Sequence, residues 1–229
     1  MLQYEIYKSG VTQHKLVLFL HGYNDTITNH QNTLNLLKQN LSETLLIMPH
    51  APEISDKNPQ KRQWFGMRQY DADNIRTDQT TSVEEIIRIY NRTAADIDYN
   101  AELLNNFITG IQEQYGISDA NTYLIGFSQG AMLALYASLT RNNKLGGVFV
   151  LSGLIAGAQQ LQTKIKSKPL LYLFHGTVDT KVQFKTFAYT LDWLKKNQVE
   201  YQYKIYENLA HKISEDEISY IAAKINQTN

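Results

Sequence analysis

The sequence predicts one doubly wound α/β domain, and three observations carry that prediction. Short apolar, β-prone runs recur along the chain, segments with helical periodicity separate them, and several runs lead directly into glycine-containing loops. A chain of 229 residues suits a single domain with a sizeable core, and 43% hydrophobic with 19% charged residues is the profile of an ordinary globular protein.

In chain order, Leu2 to Tyr7 alternates apolar and polar residues and reads as a half-exposed strand at a sheet edge, followed by a turn at Ser9-Gly10. Lys15 to Leu20 is a continuous apolar run, as expected for a strand buried on both faces, and it ends in His21-Gly22-Tyr23-Asn24-Asp25. Asn29 to Gln39 has the spacing of a modest helix, and Thr44 to Met48 is a second buried strand. From Pro49 to Arg76 periodicity fades and three of the four prolines occur, around Trp64, Phe65, Met67 and Tyr70. An irregular segment with exposed aromatics is expected to be a binding loop, so a lid or substrate-binding insertion is placed at about 50–92 of a single domain spanning 1–229.

Ser82-Val-Glu-Glu85 has the pattern of a capping box opening a short helix. Ile97, Leu104, Ile108, Ile111 and Tyr115 form one stripe of a longer helix, Ala94 to Tyr115, which Gly116 closes. Tyr123 to Ile125, Leu145 to Leu151 and Pro169 to Phe174 are further buried strands, and the stretch between the last two is expected to run over the surface. Phe184 to Lys196 reads as a helix, Glu200 to Tyr206 as a strand and Ser214 to Ile225 as a closing helix.

Several classes of function are disfavoured by composition. Lys plus Arg and Asp plus Glu are both 22, so no global field favours nucleic acid or an anionic membrane. With no cysteine there is no disulfide, thiol nucleophile or thiolate metal site, and the six histidines lack metal-binding spacings. No glycine-rich phosphate loop is present. Neither a metal nor another cofactor is expected; the N-terminal residues show no signal-peptide pattern and no stretch has the character of a membrane span, so a cytoplasmic location is the expectation.

The chemistry concentrates at Gly126-Phe-Ser-Gln-Gly130, which lies between the Tyr123 to Ile125 run and a helix-like segment from Ala131. A strand turning sharply into a helix lifts one side chain, here Ser128, above the sheet edge; the competing reading is an ordinary helix N-cap. A serine hydroxyl needs a base to take its proton and an acid to orient that base, both expected from later loops in the order serine, acid, histidine. Only His175 and His211 follow Ser128. His175 sits at a strand end and suits bracing, whereas His211 lies between the last strand and the last helix, where the base belongs. Asp179, just past a strand end, is the acid in preference to Glu207, which shares the His211 loop. The developing oxyanion needs two backbone N–H donors, assigned to Gln129 at the helix start and Tyr23 in the first strand-end loop.

These residues resemble the small serine carboxylesterases, acyl-protein thioesterases and lysophospholipases of the α/β-hydrolase fold. The resemblance rests on Leu20-His-Gly-Tyr-Asn-Asp25, Met48-Pro-His-Ala-Pro52, Trp64-Phe65, Gly126 to Gly130, Leu145-Gly-Gly-Val148, His175-Gly-Thr-Val-Asp179, and Tyr206-Glu207 with His211. It implies a mostly parallel central sheet with helices on both faces, and a serine esterase acting on a small-molecule ester, thioester or lysophospholipid. The implied site has Ser128, Asp179 and His211 as catalytic residues and the N–H groups of Tyr23 and Gln129 at the oxyanion. The sequence departs from the family pattern at Ala131, at Gly66, where the family carries Asp, and in the proline-free stretch after Asp179.

Two choices stay open at this point. Trp64 and Phe65 form either a substrate-binding apolar surface, suited to long acyl chains, or a packed satellite of the core. The activity is either that of a short-chain carboxylesterase or that of a long-chain thioesterase or lysophospholipase. An alternative from another class is a non-catalytic α/β-hydrolase-like binding protein.

Overall fold

Hydrophobic patterning along the strands decides the layering. The computed structural model describes residues 2–227. Its strands are β1 (Tyr4–Lys8), β2 (Lys15–Leu20), β3 (Thr44–Pro49), β4 (Glu53–Ile54), β5 (Arg62–Gln63), β6 (Thr122–Phe127), β7 (Gly147–Leu151), β8 (Leu171–Gly176) and β9 (Tyr201–Tyr206). The helices are α1 (Gln31–Asn40), α2 (Val83–Arg92), α3 (Ala94–Tyr115), α4 (Gln129–Thr140), α5 (Ala158–Lys164), α6 (Phe187–Lys196) and α7 (Glu215–Gln227).

Seven strands form one sheet in the order β1-β3-β2-β6-β7-β8-β9, with β4 and β5 as a separate hairpin. Only β1 is antiparallel to its neighbour in the large sheet. Along β2, Leu16, Leu18 and Leu20 join a core on one face, shared with α2 through α6, and Val17 and Phe19 join a second core capped by α1 and α7. All five are fully buried, as side chains alternating across a doubly covered sheet must be. The chain passes from β3 to β6 across β2, so connections leave β2 and β6 in opposite directions. That switch point opens a crevice outside the C-terminal ends of the two strands.

Most expected elements form within a residue or two of the predicted bounds, and the departures have physical causes. The stretch after β7 does not run over the surface. Leu154, Ile155, Ala156, Ala158 and Leu161 are buried and α5 forms within it, because five apolar side chains gain more under the sheet than in water. The capping box is half formed: Ser82 Oγ accepts the Glu85 N–H at 3.2 Å, but the Glu85 carboxylate turns outward to Arg88 at 2.7 Å.

The 50–92 segment holds the β4–β5 hairpin, a 3₁₀ turn at Ile75–Thr77 and α2. Its aromatics are not an exposed surface, which corrects the sequence expectation. Trp64 is 1% exposed and Phe65 0%, both inside the main core, and so is Met67. Such burial is the response expected of two large rings next to an unfilled flank of the sheet. No helix among the described residues is long and apolar enough to cross a membrane.

Candidate active site

The elbow arises from a conflict between strand and helix. β6 pairs with β2 up to Gly126, and α4 begins at Gln129, so the chain must reverse at Ser128. It does so with φ 55° and ψ −119° at Ser128, a conformation that costs a non-glycine residue on the order of 1–3 kcal/mol. Surrounding bonds hold it: the Ser128 N–H donates to Leu151 O at 2.9 Å, and Ser128 O accepts from Ala131 and Met132. Gly130 is required here because a Cβ would stand 2.3 Å from Leu20 O and 2.5 Å from His21 O, so any side chain would push α4 off β2. Ala131 is accommodated because Gly153 faces it; a Cβ on Gly153 would come within 2.6 Å of the Ala131 methyl. Ser128 makes no side-chain cap to α4, which removes the N-cap reading.

The hydroxyl instead faces a histidine. Ser128 Oγ lies 3.0 Å from His211 Nε2, and His211 Nδ1 lies 2.7 Å from Asp179 Oδ2. Three residues separated by 32 and 83 positions thus form one hydrogen-bonded line from the ends of β6, β8 and β9. The loops carrying Asp179 and His211 are tied together through Thr177 N–H to Tyr206 O at 3.0 Å and Val178 N–H to Leu209 O at 3.2 Å. Gly176 permits this crossing, since a Cβ there would lie 2.1 Å from Leu209 O. The Phe127 ring packs against that of His211 with centroids 4.8 Å apart and planes tilted by 34°.

Asp179 is buried with both oxygens engaged. Oδ2 faces His211, and Oδ1 accepts the N–H groups of Lys181 at 2.9 Å and Val182 at 3.0 Å. Burial alone would raise its pKa; the hydrogen bond and charge of His211, the nearby His175 and the Lys181 N–H outweigh burial and hold the carboxyl below its ordinary range. It is therefore ionised at neutral pH. His175, the competing histidine, is wholly buried and donates its Nε2–H to Val182 O at 2.8 Å, so it braces the Asp179 loop. Glu207 is exposed and accepts from Thr177 Oγ1, away from Ser128.

Neither the Tyr23 nor the Gln129 N–H donates to another group among the described residues. Both residues line a cleft of about 430 Å³ together with Ser128 and His211. The Tyr23 loop abuts the elbow: a Cβ on Gly22 would sit 3.4 Å from Ser128 Cβ. With α4 presenting its positive end beside Ser128, the arrangement has the donors that an anionic tetrahedral species needs.

Trp64 and Phe65 are brought to the site, but behind it. The Gln129 side chain accepts the Trp64 N–H at 2.9 Å and donates to Phe65 O at 2.7 Å, while the Trp64 indole N–H donates to His21 O at 2.9 Å. Met67 reaches the cleft wall; Trp64 and Phe65 do not. A residue that sequence reasoning missed is Asp56, which accepts the Tyr23 hydroxyl and the N–H groups of Met67 at 3.0 Å and Arg68 at 2.8 Å. Its Oδ2 lies 3.7 Å from where a Cβ on Gly66 would stand, so a carboxylate reaches the position that the family fills with Asp, from ten residues upstream.

His21 fixes the other side of the Tyr23 loop. Its Nδ1–H donates to Gly22 O at 2.9 Å and its Nε2 accepts the Ala51 N–H at 3.2 Å, a pairing only the neutral ring can make. Burial pushes its pKa down from 6.5 to about 4, against the hydrogen bond to Gly22 and the charge of Asp25. The unfolded chain then binds a proton at this ring that the folded chain refuses. Stability contributed by the neutral ring is complete above pH 6.5 and is lost as pH falls toward 4, by about 3 kcal/mol in total. Urea unfolding across that window is expected to show a falling midpoint, with a slope one proton shallower in His21→Asn. Carboxylates held below their ordinary range, such as Asp25 and Asp119, add their own loss only at lower pH.

The switch-point crevice, the strained serine at its floor and the sheet order define an α/β-hydrolase fold. Residues 2–229 match the profile of the Phospholipase/Carboxylesterase family, and the chain belongs to that family. It is 27% identical to acyl-protein thioesterase 1 of Gibberella zeae over 219 residues, covering 90% of this chain and 87% of the relative. It is likewise 27% identical to carboxylesterase SOBER1 of Arabidopsis thaliana over 221 residues, covering 91% and 88%. Among solved structures, esterase PE8 superposes with a TM-score of 0.83 at 25% identity, covering 100% of this chain and 99% of that one. Acyl-protein thioesterase 2 of Zea mays, at 21% identity and a TM-score of 0.70, shares the fold.

Proposed function

We propose that the protein hydrolyses small carboxylic esters and thioesters through an acyl-enzyme on Ser128, with His211 as base and Asp179 as its orienting acid. The observation that carries the reading is the continuous line from Ser128 Oγ to His211 Nε2 at 3.0 Å and from His211 Nδ1 to Asp179 at 2.7 Å. In this mechanism Ser128 Oγ gives its proton to His211 Nε2 as it attacks the acyl carbon. The carbonyl oxygen becomes anionic between the Tyr23 and Gln129 N–H groups. The tetrahedral species collapses as His211 returns the proton to the leaving alcohol or thiol. Water, deprotonated by the same histidine, then releases the acid and frees Ser128.

The 50–92 segment is proposed as the substrate-binding insertion, since Lys57, Met67, Asn74, Arg76, Thr77 and Tyr90 all come from it to the cleft. Apolar side chains there are few; besides the rings of Tyr23 and Tyr90, only Met67, Met132 and Val182 contribute. A wall of that kind favours short or polar acyl groups over sixteen-carbon chains. Two measurements test the reading. A fluorophosphonate is expected to label the folded protein at Ser128, located by peptide mass. Rates across 4-nitrophenyl esters are expected to peak at short acyl chains and fall well before sixteen carbons. Absence of labelling favours the non-catalytic alternative, and a rate that keeps rising with chain length favours the long-chain one.

A further inference from the structure

The cleft beside Ser128 has a charge pattern that ester hydrolysis itself does not require. Three cations line it, Lys57, Arg76 and Lys181, and no carboxylate does. They come from three separate loops. Arg76 is 7% exposed and paired with the buried Asp71, and its guanidinium lies 5.7 Å from the centroid of the Tyr23 ring. On the same ring Lys57 Nζ lies at 5.5 Å, and its hydrogen bond goes to the neutral amide of Asn74 at 2.6 Å. Lys181, two residues beyond Asp179, makes no ion pair among the described residues. Asp56, the other carboxylate close by, is turned toward the Tyr23 hydroxyl and two backbone N–H groups.

Asp71 therefore offsets Arg76 and Asp56 partly offsets Lys57, while Lys181 makes no ion pair among the described residues, so three cations face two carboxylates and the cleft wall keeps a net positive charge. Partial burial and the neighbouring Arg76 guanidinium lower the Lys57 pKa against the opposing charges of Asp56 and Asp71. Surface lysines ordinarily spread into solvent. Lys57 and Lys181, though exposed, line the same cleft as Ser128 and His211, where low-dielectric walls focus their field. Another large groove among the described residues is balanced differently, with carboxylates on its own wall. The larger groove of about 760 Å³ between α3, the end of α4 and α5 has its Arg141 and Lys164 already paired with Asp119 and Asp98.

We infer that the enzyme is selective for esters that carry a second, anionic group, a carboxylate or phosphate, on the acyl or the alcohol side, held by Lys57 and Lys181 with Arg76 behind them. This rests on the esterase reading above and narrows its substrate class.

The test compares kcat/KM for matched pairs, each corrected for the ester's rate of alkaline hydrolysis. Mono-4-nitrophenyl adipate against 4-nitrophenyl hexanoate puts the charge on the acyl side; 4-acetoxybenzoate against 4-acetoxybenzamide puts it on the leaving side. In at least one arm the anionic ester is expected to be preferred roughly ten- to hundredfold at low ionic strength. That preference is expected to shrink severalfold in about 0.5 M NaCl. In the double variant Lys57→Gln, Lys181→Gln, the ratio of anionic to neutral ester is expected to fall toward one. Both lysines are exposed, so the exchange is compatible with folding. Turnover of the neutral esters with no anion preference in either arm, or a preference unchanged in the double variant, overturns this inference alone. Turnover of no ester at all, together with failure to take up a fluorophosphonate, overturns the esterase reading and this inference with it.

Discussion

Ser128→Ala is expected to lower kcat for 4-nitrophenyl acetate by roughly 10⁴- to 10⁶-fold while leaving the protein folded. The proposed nucleophile has no understudy. Other hydroxyls at the cleft, those of Tyr23, Thr77 and Tyr90, are engaged with Asp56, Asn74 O and Arg76, and none is bonded to His211. What survives should be the modest acceleration that oxyanion donors and binding supply. Folding is separable from activity because the serine side chain bonds only to His211, whereas the strained turn is held by backbone bonds that alanine keeps. Ser128→Gly should be equally inactive and more stable, since glycine adopts φ 55° without cost. Steady-state kinetics with thermal melts of the three proteins checks both statements. Alanine activity within tenfold of the parent would remove Ser128 from the mechanism.

Asp179→Asn is expected to cost about 10⁴-fold in kcat with little loss of structure. The asparagine carbonyl can keep the place of Oδ1, accepting the Lys181 and Val182 N–H groups, so the loop should hold. Its amide then points N–H at His211 Nδ1, where the aspartate accepts at 2.7 Å. The histidine must turn its other tautomer outward, and Nε2 becomes a donor facing Ser128 Oγ instead of an acceptor. A loss confined to kcat, with KM nearly unchanged, is the signature of that fault. Equal activity in the asparagine variant would show that His211 needs no anionic partner.

The order of strands and helices was legible because β2, β3, β6 and β7 are apolar on both faces, a pattern few other structures impose on a chain. The line Ser128, Asp179, His211 was legible for a different reason: a mechanism dictates their order, and only two histidines competed for the last place. Burial of Trp64 and Phe65 was not. An aromatic in an irregular segment reads the same whether it faces solvent or an unfilled flank of the sheet, and no periodicity separates the two. Asp56 was missed because its partner Tyr23 lies 33 positions away and Asp56 itself sits in no recognisable motif. The cationic wall was missed for the same reason, with Lys57, Arg76 and Lys181 meeting only through the fold. His175 was legible as a brace from its place at a strand end, though not its target, Val182 O.

The Gln129 side chain grips the backbone on both sides of the Trp64–Phe65 peptide bond, while its own N–H has no acceptor among the described residues and the residue lines the cleft. On the proposed reading, recognition and chemistry are consequently not separate modules in this molecule. A graft of the 50–92 segment from a relative would replace the partners that orient the first residue of α4, so a chimaera made to change substrate would surrender rate in the same stroke. Remodelling that leaves residues 64 and 65 in place, and varies only the loop positions facing the cleft, keeps that clamp intact.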